Sequence, residues 1–302
     1  MSGQARVWAG IVVYNPNMPV LSSLILVLEA QVERIVVFNN GGCTSAELDS
    51  LFSSAGHEVI GLDENLGIGI GLNHIARAAL ADGADLLLTF DQDSSPPAGF
   101  VENLLKCMGS LHQANVPVAA VGPVFVDERG ESEVFPVFQA SRWWVNKTNP
   151  LDSRGSALNA SILITSGMLV DLKVWEQVGE FRGDFFIDHV DTEWCLRAAA
   201  KGFSVHVCTN TVMPHQLSDA PPKRVLGRLV LKYSPLRRYY AFRNTCRLLM
   251  MAHVPQGLKN YLTVTLAYRF FLNLIVDEER MASLRAMVLG MAHGFSGRMG
   301  KR

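Results

Sequence analysis

The chain has 302 residues, 49% of them hydrophobic and 18% charged, enough to bury a sizeable core as one large domain or two small ones. It holds no low-complexity tract and no short-period repeat, which excludes a disordered, collagenous or solenoid protein. The formal net charge of −1 hides an asymmetry, because Ala220 to Val276 carries ten Lys or Arg and no Asp or Glu. Such a segment points to an anionic partner: phosphate, nucleic acid or an anionic membrane surface.

Five cysteines, Cys43, Cys107, Cys195, Cys208 and Cys246, are scattered and form no CxxC pair. Their pattern argues against a disulfide framework or a zinc site and fits a reducing cytoplasm. The opening "MSGQARVWAGIVVYNP" has no basic stretch followed by a long apolar run and cleavage site, so no signal peptide is expected. The longest apolar segment, 261–276, is short for a bilayer span and contains Arg269 and Asn273, so it is not expected to cross a membrane.

In chain order, 7–15, 34–40, 57–65 and 85–93 are short β-branched runs ending in polar residues. Between them, 18–31, 44–55 and 68–82 have helical spacing, clearest in Leu72, Ile75, Ala76 and Ala79. Strands alternating with helices predict βαβ units and a mostly parallel sheet covered on both faces. Ligands bind at the carboxyl ends of such strands. The polar tips there are Tyr14-Asn15, Asn39-Asn40, Asp63-Glu64-Asn65 and Asp91-Gln92-Asp93. Further on, 118–127 and 157–167 read as strands, with a loop from about Glu128 to Ser156 whose Trp143 and Trp144 are read by default as packing residues, with sugar stacking as the alternative. A helix is expected from Val190 to a C-cap at Gly202, then a strand, then a helical basic segment punctuated by Pro214, Pro221, Pro222, Pro235 and Pro255.

Asp91 and Asp93, two apart at a strand end, are able to face one ligand together. Two hard oxygen donors suit Mg²⁺ or Mn²⁺, which takes its remaining ligands from phosphates and water. In "ENLGIGIGLNHIARA", Gly67, Gly69 and Gly71 sit at a strand-to-helix turn, where free N–H groups favour phosphate. The spacing is not GxGxxG and follows the third strand, so a dinucleotide fingerprint is not indicated. Close helix packing explains the glycines alone, but not Asn65 and Asn73, which look placed for hydrogen bonding. "FFIDHVDTEW" offers Asp188, Asp191 and Glu193, as helix-start acids or as a general base whose pKa the helix dipole should lower. His189 competes for the base role, and His215 is a candidate to add one imidazole to a metal site two-thirds built by carboxylates, given a manganese-like ion. Arg237, Arg238, Arg243 and Arg247 fall among Tyr239, Tyr240 and Phe242. Helical spacing there predicts an apolar side of Tyr239, Phe242 and Cys246 with arginines elsewhere, free to clamp pyrophosphate or meet anionic lipid. No aromatic-basic RNA module is present, so no nucleic-acid partner is expected.

Taken together and in order, "GIVVYNP", "IVVFNNGG", "ENLGIGIGLNHIARAA", "ADLLLTFDQDS", "FIDHVDTEWCLRAAAKGF", "SPLRRYYAFRN" and "GFSGRMGK" resemble the inverting family 2 glycosyltransferases, in their bacterial rhamnosyltransferase branch. The resemblance covers nearly the full chain. It implies an α/β GT-A sandwich with a central mixed, mostly parallel sheet. The catalytic domain would span residues 1–219, with a nucleotide-binding half to about 127 and an acceptor-binding half beyond, and residues 220–302 would form a basic helical segment. It further implies dTDP-β-L-rhamnose as donor, Mg²⁺ or Mn²⁺ as cofactor, and an acceptor hydroxyl on a surface glycan or lipid-linked glycan. A cytoplasmic enzyme with peripheral contact to the anionic inner membrane follows. Position by position, Tyr14, Asn15, Asn39 and Asn40 would line the nucleotide site, Asn39 departing from an Asp usual in the family. Asn65 and Gly67 match its donor-binding NxG, Asn73 and Gln92 lie in the donor-binding stretches, and Asp91 and Asp93 match its metal-binding DxD. Ser166-Gly167 match an acceptor-side segment. His215 resembles a late metal ligand, and Asp188, placed before Asp191, is the first choice of base. A non-catalytic nucleotide-sugar binder, or a transferase with another donor, is the alternative.

Overall fold

A computed structural model describes residues 5–61, 64–127, 133–153, 155–215, 223–225, 228–230, 233–277 and 279–302. Asp63 at the third strand tip lies outside the described residues, as do residues 220–222, 226, 227, 231, 232 and 278 of the basic segment. The first half alternates as its sequence predicts: β1 (Val7–Val13), α1 (Met18–Glu29), β2 (Arg34–Asn39), α2 (Ser45–Asp49), β3 (Glu58–Gly61), α3 (Ile68–Ala81), β4 (Leu86–Asp91), α4 (Phe100–Gln113) and β5 (Val118–Asp127). Three short strands follow, β6 (Glu133–Val134), β7 (Val137–Ala140) and β8 (Val145–Thr148), then β9 (Ala157–Ala160), β10 (Met168–Asp171), α5 (Leu172–Val178), α6 (Val190–Ala200) and β11 (Ser204–Pro214). A small hairpin, β12 (Lys223–Val225) and β13 (Arg228–Val230), precedes α7 (Pro235–Leu249), α8 (Gln256–Val276) and α9 (Arg280–Ser296).

The main sheet runs β3-β2-β1-β4-β10-β5-β11-β9. Pairs among β1 to β4 are parallel, as is β5 with β11, while β10 and β9 run antiparallel to their neighbours. The order reverses at β1, whose two sides hold β2 and β4, so a crevice opens beyond the carboxyl ends of β1 and β4. Alternation along β1 explains the two cores. Val7, Ala9, Ile11 and Val13 face α1 and α4, where Leu21, Leu24, Ile25 and Leu28 repeat at helical spacing. Trp8 faces α3 with Leu72, Ile75 and Ala79 on the other side. Each such buried side chain contributes roughly 1.5–3 kcal/mol, so the strands at the crevice rest on a rigid platform.

Several expectations need correction. The loop expected over 128–156 contains the β7–β8 hairpin, and its turn leaves Trp143 and Trp144 exposed rather than packed. The run 157–167 does not continue as one strand: β9 stops at Ala160, and an irregular segment leads to β10. Cys107 of α4 and Cys208 of β11 form a disulfide across 101 residues, a separation that local cysteine spacing does not reveal. The arginines of α7 are not all outside, since Arg238 and Arg243 are buried.

Candidate active site

Asp91 is the last residue of β4, paired in register with Val12 of β1. Beyond it, the Gln92 amide clamps the next residue of the neighbouring strand tip. Its Oε1 accepts from Tyr14 N at 2.8 Å and its Nε2 donates to Tyr14 O at 3.2 Å. The Tyr14 ring stays exposed at the crevice rim, and Asn15, at φ 45°, turns the chain so that its N–H meets Gly41 O. Asn39 is buried, its Nδ2 donating to Cys43 O and its Oδ1 accepting from Gly41 N. Its amide therefore shapes the loop after β2. Asn40 and Asn65 join at 3.2 Å, and between them accept from Leu66 N and Gly67 N, fixing the entry to α3. Asn73 lies deeper in α3, buried, with its amide exchanging two hydrogen bonds with the Phe181 backbone. The strand tips thus gather Tyr14, Asn15, Asp91 and Gln92, whereas Asn73 is a packing post.

The acids converge through a residue that sequence reasoning missed. Thr165, in the irregular segment before β10, donates its hydroxyl to Asp91 Oδ1 at 3.2 Å and its N–H to Asp191 Oδ2 at 3.1 Å. One threonine therefore bridges the strand-tip acid to the acid in the first turn of α6. Just beyond it, the buried Ser166 hydroxyl meets Ser94 at 2.5 Å, tying the same segment to the loop after β4. Burial, with Asp93 and Asp191 adding negative charge, raises Asp91 to about 7. Burial also raises Asp191, to about 6, against the N–H groups of Thr192 and Thr165 that favour its charged form. The downward shift expected from the helix dipole is thus outweighed.

Asp188 is held differently. One carboxylate oxygen lies 3.6 Å from Arg237, and the other, Oδ2, is buried with no hydrogen-bond partner among the described residues. Burial raises its pKa, opposed by Arg237 and Arg269. His189 Nε2 meets Thr245 Oγ1 at 3.1 Å. That hydroxyl donates to Ala241 O, so it accepts from the imidazole and leaves Nδ1 unprotonated. Burial and Arg269 lower His189 to about 4, which keeps the ring neutral at neutral pH and weak as a base.

The loop carrying these groups is bent through unfavourable backbone. Phe186, Asp188 and His189 all have positive φ, 62° to 66°, a conformation costly for residues with a Cβ. It persists because α7 grips the loop carbonyls. Asn244 Nδ2 donates to Phe185, Ile187 and Asp188 carbonyls at 2.7–3.0 Å, and Arg243 donates to those of Asp184 and Phe185. Burial of Arg243 is therefore structural, its guanidinium joining the acid loop to Asn244 and to the Gly300 carbonyl of the C-terminal tail. From the other side, Gly67 lies so close that a Cβ there would sit 2.6 Å from Phe186 O, at φ 90°. Gly67→Ala is expected to push this loop away, lowering both melting temperature and turnover. Left-handed strain alone costs about 1–2 kcal/mol before the clash, and unchanged melting and rate would refute the close-packing account.

Asp91 and Asp93 fit a divalent cation, because the half-buried Asp91 carboxylate bears neighbouring negative charge that a cation relieves. Among the described residues, no three His, Cys, Asp or Glu side chains gather closely enough to hold a metal by themselves. His215 follows β11, its N–H on Val126 O and its ring against Phe125, and it does not close a set with Asp91 and Asp93. The two acids would share the ion with phosphate oxygens and water.

Solved structures share the fold. The chain superposes on the Pyrobaculum calidifontis mannosyltransferase PcManGT, solved with GDP-Man and Mn²⁺, with 15% identity and a TM-score of 0.56 over 98% of this chain and 76% of that one. S. aureus TarS 1-349 matches with 14% identity and a TM-score of 0.57 over 97% and 82%. GalNAc-T7, solved with UDP, GalNAc and Mn²⁺, matches with 11% identity and a TM-score of 0.57 over 80% of this chain but 48% of that one, about half its length. The fold, a mixed and mostly parallel central sheet with helices, is that of the GT-A glycosyltransferases. No protein-family profile matches the chain. Among characterised proteins, the dTDP-rhamnosyl transferase RfbF of Shigella flexneri is 34% identical over 251 residues, covering 83% of this chain and 82% of that protein. The chain belongs to the rhamnosyltransferase branch of the family 2 glycosyltransferases.

Proposed function

We propose that the protein transfers L-rhamnose from dTDP-β-L-rhamnose to a hydroxyl of a bacterial surface glycan, inverting the anomeric configuration. The observation that carries this reading is Thr165, which holds a strand-tip acid of metal-binding type beside a separate carboxylate of raised proton affinity. The nucleotide would enter at the tips of β1 and β4, against Tyr14 and Asn15. A Mg²⁺ or Mn²⁺ held by Asp91 and Asp93 would supply positive charge to the departing diphosphate. Asp191, mostly ionised at neutral pH, accepts the acceptor's hydroxyl proton as that oxygen attacks the anomeric carbon. The bond from that carbon to the diphosphate oxygen breaks, its electron pair leaving with dTDP. A single in-line displacement converts the β-L donor into an α-L-rhamnoside.

Although Asp188 is first choice on resemblance, the geometry favours Asp191. Arg237 draws one oxygen of Asp188 toward an ion pair and opposes the rise that burial gives its pKa, whereas Asp191 shares Thr165 with Asp91 and is raised to about 6. The unpartnered Asp188 Oδ2 is left to accept a sugar hydroxyl. A donor screen tests the function: with Mg²⁺ or Mn²⁺, dTDP-rhamnose should be cleaved, and UDP-GlcNAc and GDP-mannose should not. Cleavage of another donor would reassign the sugar, and cleavage of none would remove the enzyme reading.

A further inference from the structure

The C-terminal helices present large apolar side chains to solvent in an ordered way. On α8, Val264, Phe271 and Ile275 are 65% to 71% exposed, and on α9, Met281, Val288 and Phe295 are 49% to 63% exposed. Spacings of seven and four on α8, and of seven twice on α9, place each trio along one helical face. The exposed indoles of Trp143 and Trp144 adjoin the start of the α8 stripe. Asn260, on that same face, donates to Trp143 O at 3.4 Å, and Gly257 packs against the Trp144 backbone with no room for a Cβ. These eight residues are more than half of the fifteen large apolar side chains that stand out from the described surface.

Charge decides what covers them. Arg280, Arg285, Arg298 and Arg302 are exposed on α9 and the tail behind it, whereas Arg269 lines the inner side of α8 with His189 and Lys301 meets Glu64 at 3.5 Å. Of the nearby acids, Asp277 is turned inward onto Arg238 at 3.0 Å, which leaves Glu279 as the exposed acid among the described residues of this segment, against four exposed arginines. A second copy meeting this face would bring cation against cation, whereas anionic lipid neutralises it. Interfacial surfaces combine Trp, Phe and aliphatic side chains with Lys and Arg in this manner. No described helix is long and apolar enough to cross a membrane, so the contact is in plane.

We propose that the outer faces of α8 and α9, with the Trp143–Trp144 turn, dock on an anionic lipid bilayer, and that the acceptor is carried by a lipid. The inner face of α8 supplies the second part. Leu258, Tyr261 and Leu262 line a cavity of about 170 Å³ whose other wall includes His189 and Thr192, the residues next to Asp188 and Asp191. A helix with one face on the bilayer and the other beside the acids brings a headgroup-level hydroxyl to the reaction centre. The acceptor assignment rests on the transferase reading; the docking surface does not.

The test is sedimentation of the full chain with phosphatidylcholine vesicles, with and without phosphatidylglycerol, at low and high salt and with no nucleotide sugar present. Binding should require phosphatidylglycerol and weaken with salt. The double variant Phe271→Ser, Phe295→Ser should bind about tenfold or more less tightly, given what burying a Phe contributes. Leu26→Ser, which removes an exposed side chain of α1, should bind as the parent does. Equal binding by the double variant, or no preference for anionic vesicles, would overturn the surface; so would a dimer in vesicle-free buffer that the double variant dissociates. Turnover on a short water-soluble acceptor should be unchanged in the double variant, while turnover on acceptor embedded in anionic vesicles should fall in parallel with binding. Failure of vesicle binding with intact soluble transfer would refute docking alone, and inactivity with every donor would refute the transferase alone.

Discussion

Asp191→Asn is expected to cut transfer by roughly 10²- to 10⁴-fold, the usual contribution of a positioned general base, with little change in donor KM. The pH profile separates loss of the base from loss of structure. Asp191 titrates at about 6, so kcat/KM of the parent should rise through that pH as the carboxylate ionises. That acid limb should disappear in Asp191→Asn. Asp188→Asn should be milder, because Asp188 is placed to bind through Oδ2 while Arg237 holds its partner oxygen. If Asp188→Asn removes the acid limb and Asp191→Asn keeps it, the roles are exchanged.

Asp91→Asn is expected to lower transfer by about 10³-fold, since charge arranged around a developing leaving group is commonly the largest catalytic contribution. The same change should stabilise the metal-free fold at neutral pH. An unfolded aspartate titrates near 3.9, and the folded Asp91 near 7. Between these values the folded state holds a proton that the unfolded state has lost, so the parent should lose stability as pH rises from about 4 to about 7. Asp91→Asn carries no such proton and should flatten that part of the melting curve against pH. Mn²⁺ with dTDP should raise the parent's melting temperature above pH 7 and leave the variant's unchanged. A variant that melts lower than the parent at pH 8 without metal would contradict the electrostatic account.

The parallel half of the sheet and its acidic tip were legible because period-two and period-3.6 patterns are local, and β1 to β4 with α1 and α3 obey them. Thr165 was not. A threonine before Ser-Gly has no signature, and its role appears only when β10 returns between β4 and β5. Nor were Arg238 and Arg243 legible as interior residues, since helical periodicity assigns charge outward and is blind to carbonyls offered by another loop. The bends at Phe186, Asp188 and His189 involve no glycine, so nothing local announces them. The Cys107–Cys208 bond joins elements brought together only by packing of α4 on β11.

The tail after α9 is stitched to the reaction centre. Gly300 N donates to Asp184 O while its carbonyl accepts from Arg243, Arg302 N donates to Tyr240 Oη at 2.8 Å, and the Tyr240 ring stacks on Phe186 at 4.9 Å. A protease nick near Ser296 would therefore leave the sheet, its hydrophobic interior and its circular dichroism essentially whole. Yet the acid loop would then be braced by α7 and Gly67 alone, without the tail. Inactivation without denaturation is thus built into the outermost few residues, and purified material that passes every test of foldedness would still need its mass verified before its rate is believed.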